Sequence, residues 1–123
     1  MLTLLASLFF AAPADTIRPV TVIVVRHAEK AVAPANNPPL SPEGLARAAA
    51  LDTALADAKV TAILVTPYLR NTETAAPVAR RFGLTPTVVP ITAQGGVKLH
   101  ALAMAAKARE LGGTVLVVGH SNT

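Results

Sequence analysis

Short apolar runs alternate along this chain with longer segments in which alanine and leucine are mixed with charged residues. Four of the runs have the length and composition of strands: 20–25, 61–65, 87–89 and 114–118. A continuous run of valine, isoleucine and leucine is typical of a parallel strand that is covered on both faces. The pattern predicts four strands, of which at least the first two are buried on both sides.

The first helix is predicted over residues 42–58 because its start carries three favourable signals. Ser41-Pro42-Glu43 supplies an N-cap hydroxyl, a proline at the first helical position and an acid in the first turn. A loop rich in proline, alanine and asparagine, 31–39, precedes it. The spacing predicts an apolar helix face that includes Leu45, Ala49 and Leu55.

Two more helices are predicted between the later strands. The first covers 75–82 and ends at Gly83, with Pro77 tolerated only in its first turn. The second covers the alanine-rich stretch 97–111 and ends at Gly112-Gly113. Strands that alternate with helices predict an α/β fold, a three-layer α/β/α sandwich with a mostly parallel sheet.

Composition narrows the class of protein. A chain of 123 residues, 52% hydrophobic and only 3% aromatic, suits one domain, placed here at 15–123, with a core of alanine, valine and leucine. The absence of cysteine excludes disulfides, thiolate metal sites and a cysteine nucleophile. The net charge of +4 has almost no aromatic residues interleaved with it, which argues against nucleic acid as a partner.

The amino-terminal segment 1–14 is predicted to be an export signal. Its apolar run, 2–12, is too short to span a bilayer, and Ala12-Pro13-Ala14 fits a cleavage site before Asp15. No Lys or Arg lies near Met1, so a misassigned start or a buried strand are the alternatives. We therefore expect a periplasmic or secreted protein without a stable membrane anchor, with a cytoplasmic one as the alternative.

Three motifs follow predicted strands and carry the candidate chemistry: Arg26-His27-Ala28, Thr66-Pro67-Tyr68-Leu69-Arg70 and Gly119-His120-Ser121. The carboxyl ends of parallel strands meet at one edge of a sheet, so we expect these side chains to share a crevice. A guanidinium fits phosphate oxygens in a planar fork, and a neutral imidazole can attack phosphorus. The motifs together predict a site for phosphoryl chemistry.

The order and content of these motifs resemble the histidine phosphatase superfamily, which includes phosphoglycerate mutases, phosphohistidine phosphatases and small phosphomonoesterases. Val24-Val25-Arg26-His27-Ala28-Glu29 is similar to the nucleophile motif, and Leu40-Ser41-Pro42-Glu43-Gly44 to the helix entry after it. Arg70 with Thr74-Ala75 resembles the phosphate-binding arginine segment, and 119–123 the second histidine motif.

The resemblance implies roles for four residues and a reaction without a metal or other cofactor. His27 is expected to form a covalent phosphohistidine, while Arg26, Arg70 and His120 hold the phosphoryl oxygens of a small phosphorylated substrate. His27 must then present an unprotonated nitrogen, so its other ring nitrogen is expected to donate a hydrogen bond, for example to a backbone carbonyl. His120 is expected to be cationic while phosphate is bound, because surrounding anions raise the pKa of an imidazole.

Two departures from the family pattern affect the mechanism. Ser121 follows His120, and no Asp or Glu occurs between Glu73 and Glu110, so the usual acid for the leaving group is missing; Glu29 and Glu73 are possible substitutes. The absence of this acid favours phosphohistidine or an aryl phosphate as substrate, because their leaving groups depart more readily than an alkoxide. Export would favour small phosphomonoesters outside the cytoplasm.

The second departure is the end of the chain at Thr123, where family members continue with a further helix. We expect C-terminal elements to be missing, the apolar surface of the last strand to be exposed, and the protein to be marginally stable or to associate. The sequence leaves the oligomeric state open.

Other interpretations of the same residues remain. A phosphate-binding module would keep the cationic pocket without turnover, and a mutase would need acid–base exchange with a bound sugar acid. Arg26 could instead pair with Glu29, and Arg70 could be an exposed residue at a helix start. His100 is interpreted as structural, since no ligand spacing supports a zinc site with His27 and His120.

Overall fold

The computed structural model describes residues 18–92 and 94–121, which form one four-stranded sheet and three helices. The strands are β1 (Val20–Arg26), β2 (Ala62–Val65), β3 (Thr87–Val88) and β4 (Gly113–Gly119). The helices are α1 (Pro42–Ala54), α2 (Leu69–Phe82) and α3 (Gly96–Leu111). The segment predicted to be an export signal, 1–14, lies outside the described residues.

All strand pairs are parallel, in the order β1-β4-β2-β3. Parallel neighbours require crossover connections, and the three helices provide them. Helices α1 and α2 pack on one face of the sheet and α3 packs on the other. The α/β fold with helices on both faces is therefore confirmed.

The core around the sheet has two parts, one on each face, and the central strand β4 contributes to both. Leu116 and Val118 pack with Ile63 and Val65 of β2 against α2, while Val117 packs with other sheet residues against α3. Alternate side chains of a strand point to opposite faces, so β4 contributes to both layers. The prediction that the last strand has an exposed apolar surface is wrong, because β4 lies inside the sheet with Val115 to Val118 buried.

The exposed apolar surface instead belongs to β1. This strand is an edge of the sheet formed by the described residues, and Val22 and Val24 are 42% and 64% exposed. The prediction that β1 is covered on both faces is wrong, because α3 lies on the face of Val22 and Val24 without covering them, and a run of valines does not reveal how far a helix extends over a strand. Marginal stability or association stays a prediction, based now on β1 rather than β4.

Helix α1 begins as predicted and ends earlier. Gly44 N donates to the Ser41 side chain at 3.1 Å, which confirms the N-cap, and the helix ends at Ala54 rather than at residue 58. Its buried positions are Gly44 and Ala48, whereas Leu45 is 55% exposed. The predicted apolar face is wrong at Leu45 and Ala49, because the small residues at 44 and 48 allow the close approach, whereas Leu55 packs against the core as predicted.

Helix α2 begins six residues before the predicted start, at Leu69, and contains Pro77 in its interior. Proline removes one hydrogen bond from a helix interior, so its prediction as a first-turn residue was physically reasonable but wrong. The early turns are stabilised by tertiary hydrogen bonds, because the Asn71 amide donates to the Val118 and Gly119 carbonyls at 2.9 and 3.1 Å. Gly83 ends the helix in the left-handed conformation, as predicted.

The remaining elements agree with their predictions to within two residues at each end. In the part of the chain that the structure describes, no helix has the length and hydropathy needed to cross a bilayer.

Replacing Leu116 by alanine is expected to cost about 3 kcal/mol of unfolding free energy, because the side chain is fully buried at the centre of the sheet. The matched control is Val24→Ala on the exposed edge strand, for which we expect less than about 1 kcal/mol. Urea titration of both variants measures the difference. Equal losses would contradict the layer arrangement described above.

Candidate active site

The three predicted motifs meet at the carboxyl edge of the sheet. Arg26 at the end of β1 is paired in register with Gly119 at the end of β4, and the His27 amide donates to the Gly119 carbonyl at 3.0 Å. The two histidines that follow these strands are consequently adjacent. The ring centroids of His27 and His120 are 5.3 Å apart in an edge-on arrangement.

Arg70 reaches the same place from the first turn of α2. Its guanidinium carbon lies 4.2 Å from the centre of the Tyr68 ring, and that ring is in edge contact with His120 at 5.4 Å. Tyr68 therefore positions the arginine by a cation–π contact. Arg70 is half-buried rather than an exposed helix-start residue, and its Nε is buried without a hydrogen-bond partner among the described residues.

These side chains border an open cleft of about 500 Å³. The described residues that line it are Arg26, His27, Lys30, Tyr68, Arg70, Ile91, His120 and Ser121. Three of them are cations and none is a carboxylate. A buried guanidinium donor and two further cations around one hollow favour an anionic ligand with several oxygens.

The hydrogen bond of His27 determines which of its two ring nitrogens holds the lone pair. Its Nδ1 lies 2.8 Å from the carbonyl oxygen of Ala28. A carbonyl only accepts, so Nδ1 carries the proton and donates, and in the neutral ring Nε2 holds the lone pair. The expected donation to a backbone carbonyl is thus present in the structure.

The surroundings of His27 keep its ring neutral. Burial lowers the pKa of His27, the bond to Ala28 opposes this, and the nearby cations of Arg70, Arg26 and Lys30 lower it further. Protonation would place a charge on a poorly hydrated ring among like charges. At neutral pH, Nε2 of His27 therefore carries an unprotonated lone pair.

His120 is also neutral in the protein alone. Burial, followed by the charge of Arg70 and the neighbouring His27, lowers its pKa to about 4. Its Nε2 makes a hydrogen bond with the Thr66 hydroxyl at 3.0 Å. The cationic His120 expected from the sequence would thus depend on a bound anion, whose charge would raise this pKa.

Two buried polar residues of α2, Asn71 and Thr74, connect the parts of the site. The Thr74 hydroxyl accepts from the Ala28 amide at 2.9 Å and donates to the Arg70 carbonyl at 2.7 Å. The Asn71 amide holds the end of β4 next to His120. The sequence motifs include Thr74 without a role for it, and they do not include Asn71. Their spacing of three, continuing into the buried Ala75 and Val78, is the signal that could have shown an inward helix face.

The two acids considered as substitutes for the missing proton donor are both engaged elsewhere. Glu29 accepts two hydrogen bonds from Arg47, which lower the pKa of its carboxyl, and Glu73 accepts from the Leu40 amide at 2.6 Å. Neither lines the cleft. The alternative ion pair between Arg26 and Glu29 is wrong, since Glu29 pairs with Arg47 at 2.6 Å.

His100 does not line the cleft; it is buried on α3, close enough to His120 for its charge to contribute to lowering the pKa of His120. Across 18–92 and 94–121, no group of three His, Cys, Asp or Glu side chains is arranged to hold a metal ion.

The low pKa of His120 has a consequence for stability. Above pH 6.5 the ring is neutral in the folded and unfolded states; between pH 6.5 and about 4 the unfolded state takes up a proton that the folded state refuses. The free energy of unfolding is therefore expected to fall as the pH is lowered through this window, with His27 contributing in the same direction.

Urea titrations at a series of pH values measure this effect. The variant His120→Gln, which keeps a hydrogen-bonding group near Thr66, is expected to show a shallower fall between pH 6.5 and 4.5. Carboxylates with lowered pKa values, such as Glu29 and Asp52, lose their contribution to the free energy of unfolding at lower pH. This loss is the same in wild type and in His120→Gln, so it cancels in the comparison. Identical pH dependence in the two proteins would contradict a neutral His120 in the folded state.

Comparison with known proteins agrees with this geometry. The profile of the histidine phosphatase superfamily (branch 1) matches residues 22–93, which is more than half of the 123 residues. The chain belongs to the histidine phosphatase superfamily. The match includes the His27 and Arg70 motifs, while His120 lies beyond it. No functionally curated protein matches the chain significantly.

Several solved structures share the fold. A Nakamurella multipartitia protein assigned as phosphohistidine phosphatase SixA is 29% identical with a TM-score of 0.64, covering 83% of this chain and 59% of its own. The protein histidine phosphatase SixA complexed with tungstate is 25% identical with a TM-score of 0.64, covering 81% and 69%. The chain thus spans about six tenths of the length of the first of these proteins.

A more distant structure, the mycobacterial glucosyl-3-phosphoglycerate phosphatase Rv2419c, is 16% identical with a TM-score of 0.53, covering 79% of this chain and 72% of its own. At this identity the similarity concerns the fold alone.

Proposed function

We propose that this protein is a metal-independent phosphatase that works through a covalent phosphohistidine at His27. The observation that carries the proposal is the hydrogen bond from His27 Nδ1 to the Ala28 carbonyl, beside a cleft lined by three cations. It fixes the tautomer in which Nε2 has a lone pair, and the cations supply the charge that a phosphoryl group requires.

The reaction has two steps. In the first, Nε2 of His27 attacks phosphorus, a P–N bond forms, and the bond from phosphorus to the leaving group breaks with its electron pair. In the second, a water oxygen forms a bond to phosphorus, the P–N bond breaks with its electron pair returning to Nε2, and the proton lost by the attacking water passes to bulk solvent as inorganic phosphate leaves. Arg26, Arg70 and His120 bind the phosphoryl oxygens in both steps, and a dianion in the cleft would raise the pKa of His120.

The leaving group decides the substrate class. An alkoxide leaves poorly without a proton donor, and no carboxylate is among the described residues that line the cleft. The imidazole of a phosphohistidine is a better leaving group than an alkoxide. The SixA proteins that share this fold at 25–29% identity are named as phosphohistidine or protein histidine phosphatases. We therefore propose a phosphoramidate or an activated phosphomonoester as substrate.

Hydrolysis assays in the presence of a chelator test this function. We expect turnover of a phosphohistidine peptide and of an aryl phosphate, and much slower turnover of an alkyl phosphate with the same charge. Tungstate, which is bound by the SixA protein of the same fold, is expected to inhibit competitively. Loss of all activity on removal of divalent metal, with recovery on its return, would contradict the proposal.

A second candidate is a phosphate-binding module without turnover. The observation that favours it is the same lack of a carboxylate among the described lining residues. Calorimetry with inorganic phosphate separates the two functions: saturable binding without hydrolysis of any phosphorylated substrate would support the module. A mutase is a weaker proposal, because it needs acid–base exchange with a retained sugar acid.

A further inference from the structure

A second cleft of about 400 Å³ adjoins the first, because the two share lining residues at the end of β1 and just after it. Arg26, His27 and Lys30 line both clefts, and Glu29 and Arg47 line only the second. A substrate whose phosphoryl group lies at His27 would therefore have a second hollow within reach.

The charges of the second cleft do not cancel. Arg47 makes its ion pair with Glu29, which is the only carboxylate among the described residues that line this cleft. The ion pairs among the described residues do not include Arg26 or Lys30. Two cations thus remain for a ligand, and the positive charge of Lys30 is close enough to His27 to help lower its pKa.

The backbone that carries Lys30 is held in place. Lys30 forms an isolated antiparallel bridge with Leu40, the Ala31 amide donates to the Pro39 carbonyl at 2.7 Å, and the Ser41 amide donates to the Glu29 carbonyl at 2.8 Å. These bonds fix the segment against the start of α1. The side chains of Arg26 and Lys30 are exposed, but a positioned backbone reduces the ordering cost of binding a ligand at this cleft.

We propose that the second cleft binds a second anionic group of the substrate, a carboxylate or a phosphate, and that Lys30 selects it while Arg26 holds the phosphoryl group between the two clefts. The inference rests on the proposed phosphatase function and deepens it by naming the substrate class as phosphorylated compounds that carry another negative charge. Lys30 would act as a specificity-determining residue, since it would attract the second anion rather than the transferred phosphoryl group.

Paired substrates that differ only in the second charge test this. We would compare kcat/KM for 3- and 4-carboxyphenyl phosphate with kcat/KM for the corresponding carbamoyl compounds, and include an aryl bisphosphate to distinguish a carboxylate from a phosphate as the preferred group. We expect the charged member to be preferred about tenfold, which corresponds to one well-placed charged hydrogen bond.

Lys30→Gln is expected to reduce this ratio to near one, and Lys30→Glu to reverse it. The ratio is the readout, because a general loss of activity affects both substrates equally. Lys98→Gln, an exposed cation on α3 outside both clefts, is the matched control and is expected to keep the preference. No preference in the wild-type protein, or the same preference in Lys30→Gln, would overturn the inference.

Binding measurements distinguish a failure of the proposed phosphatase activity from a failure of the second anion site. If no aryl phosphate is hydrolysed, the corresponding non-hydrolysable phosphonates are compared by calorimetry with wild type and Lys30→Gln. Tighter binding of the carboxylated phosphonate that disappears in Lys30→Gln supports the second anion site without turnover, and equal binding overturns it.

Discussion

Alanine in place of His27 is expected to lower kcat by at least about a thousandfold, because it removes the atom that receives the phosphoryl group. The folded structure is expected to survive, since the hydrogen bond of the His27 ring within the described part of the chain goes to the adjacent residue, Ala28. The measurement is steady-state hydrolysis of an aryl phosphate, with urea titration to verify folding.

Lys98→Ala is the control for the His27 variant, because it removes an exposed cation from α3 and touches neither cleft. We expect it to keep wild-type activity. A His27→Ala protein that retains more than a tenth of the wild-type rate would show that hydrolysis does not pass through this imidazole.

Arg70→Ala is expected to lower kcat/KM by about a hundredfold to a thousandfold and to weaken tungstate binding. The reason is that Arg70 brings a buried Nε donor without a hydrogen-bond partner among the described residues, and removing one such donor to a developing charge costs this much in other enzymes. Arg70→Lys is expected to recover only part of the loss, because a lysine lacks the planar fork and its stacking on Tyr68.

Arg80→Ala provides the matched control on the same helix. Arg80 is exposed in the last turn of α2 and does not line the cleft, so we expect near wild-type kcat/KM. Arg70→Lys with full activity, or Arg70→Ala with unchanged tungstate affinity, would contradict the role given to this guanidinium.

Much of the site could be predicted from the sequence because its residues follow strands directly. A parallel strand determines where the next residue emerges, so the Arg26-His27 and Gly119-His120 pairs had to lie at one edge once β1 and β4 were recognised. The Ser41 cap could be predicted for a similar reason, since its hydrogen bond to Gly44 is local.

The features that could not be predicted depend on contacts between distant residues. The early start of α2 is stabilised by Asn71 and Thr74, whose partners Gly119 and Ala28 lie 48 and 46 positions away. The exposure of the valines of β1 depends on how far α3 extends over that strand, and the ion pair of Glu29 depends on where α1 places Arg47. Local patterns carry no information about such partners.

Nε2 of His27 is the atom on which the proposed mechanism depends. The Ala28 carbonyl accepts the hydrogen bond of His27 Nδ1, so in the proposed mechanism the phosphoryl group is transferred to Nε2. The acid-labile intermediate can be trapped by rapid quenching into base after mixing with an aryl phosphate, and ³¹P NMR with peptide mass spectrometry identifies both the residue and the isomer. The account predicts phosphate on Nε2 of His27; phosphate on Nδ1, or on His120 with His27 unmodified, would contradict it.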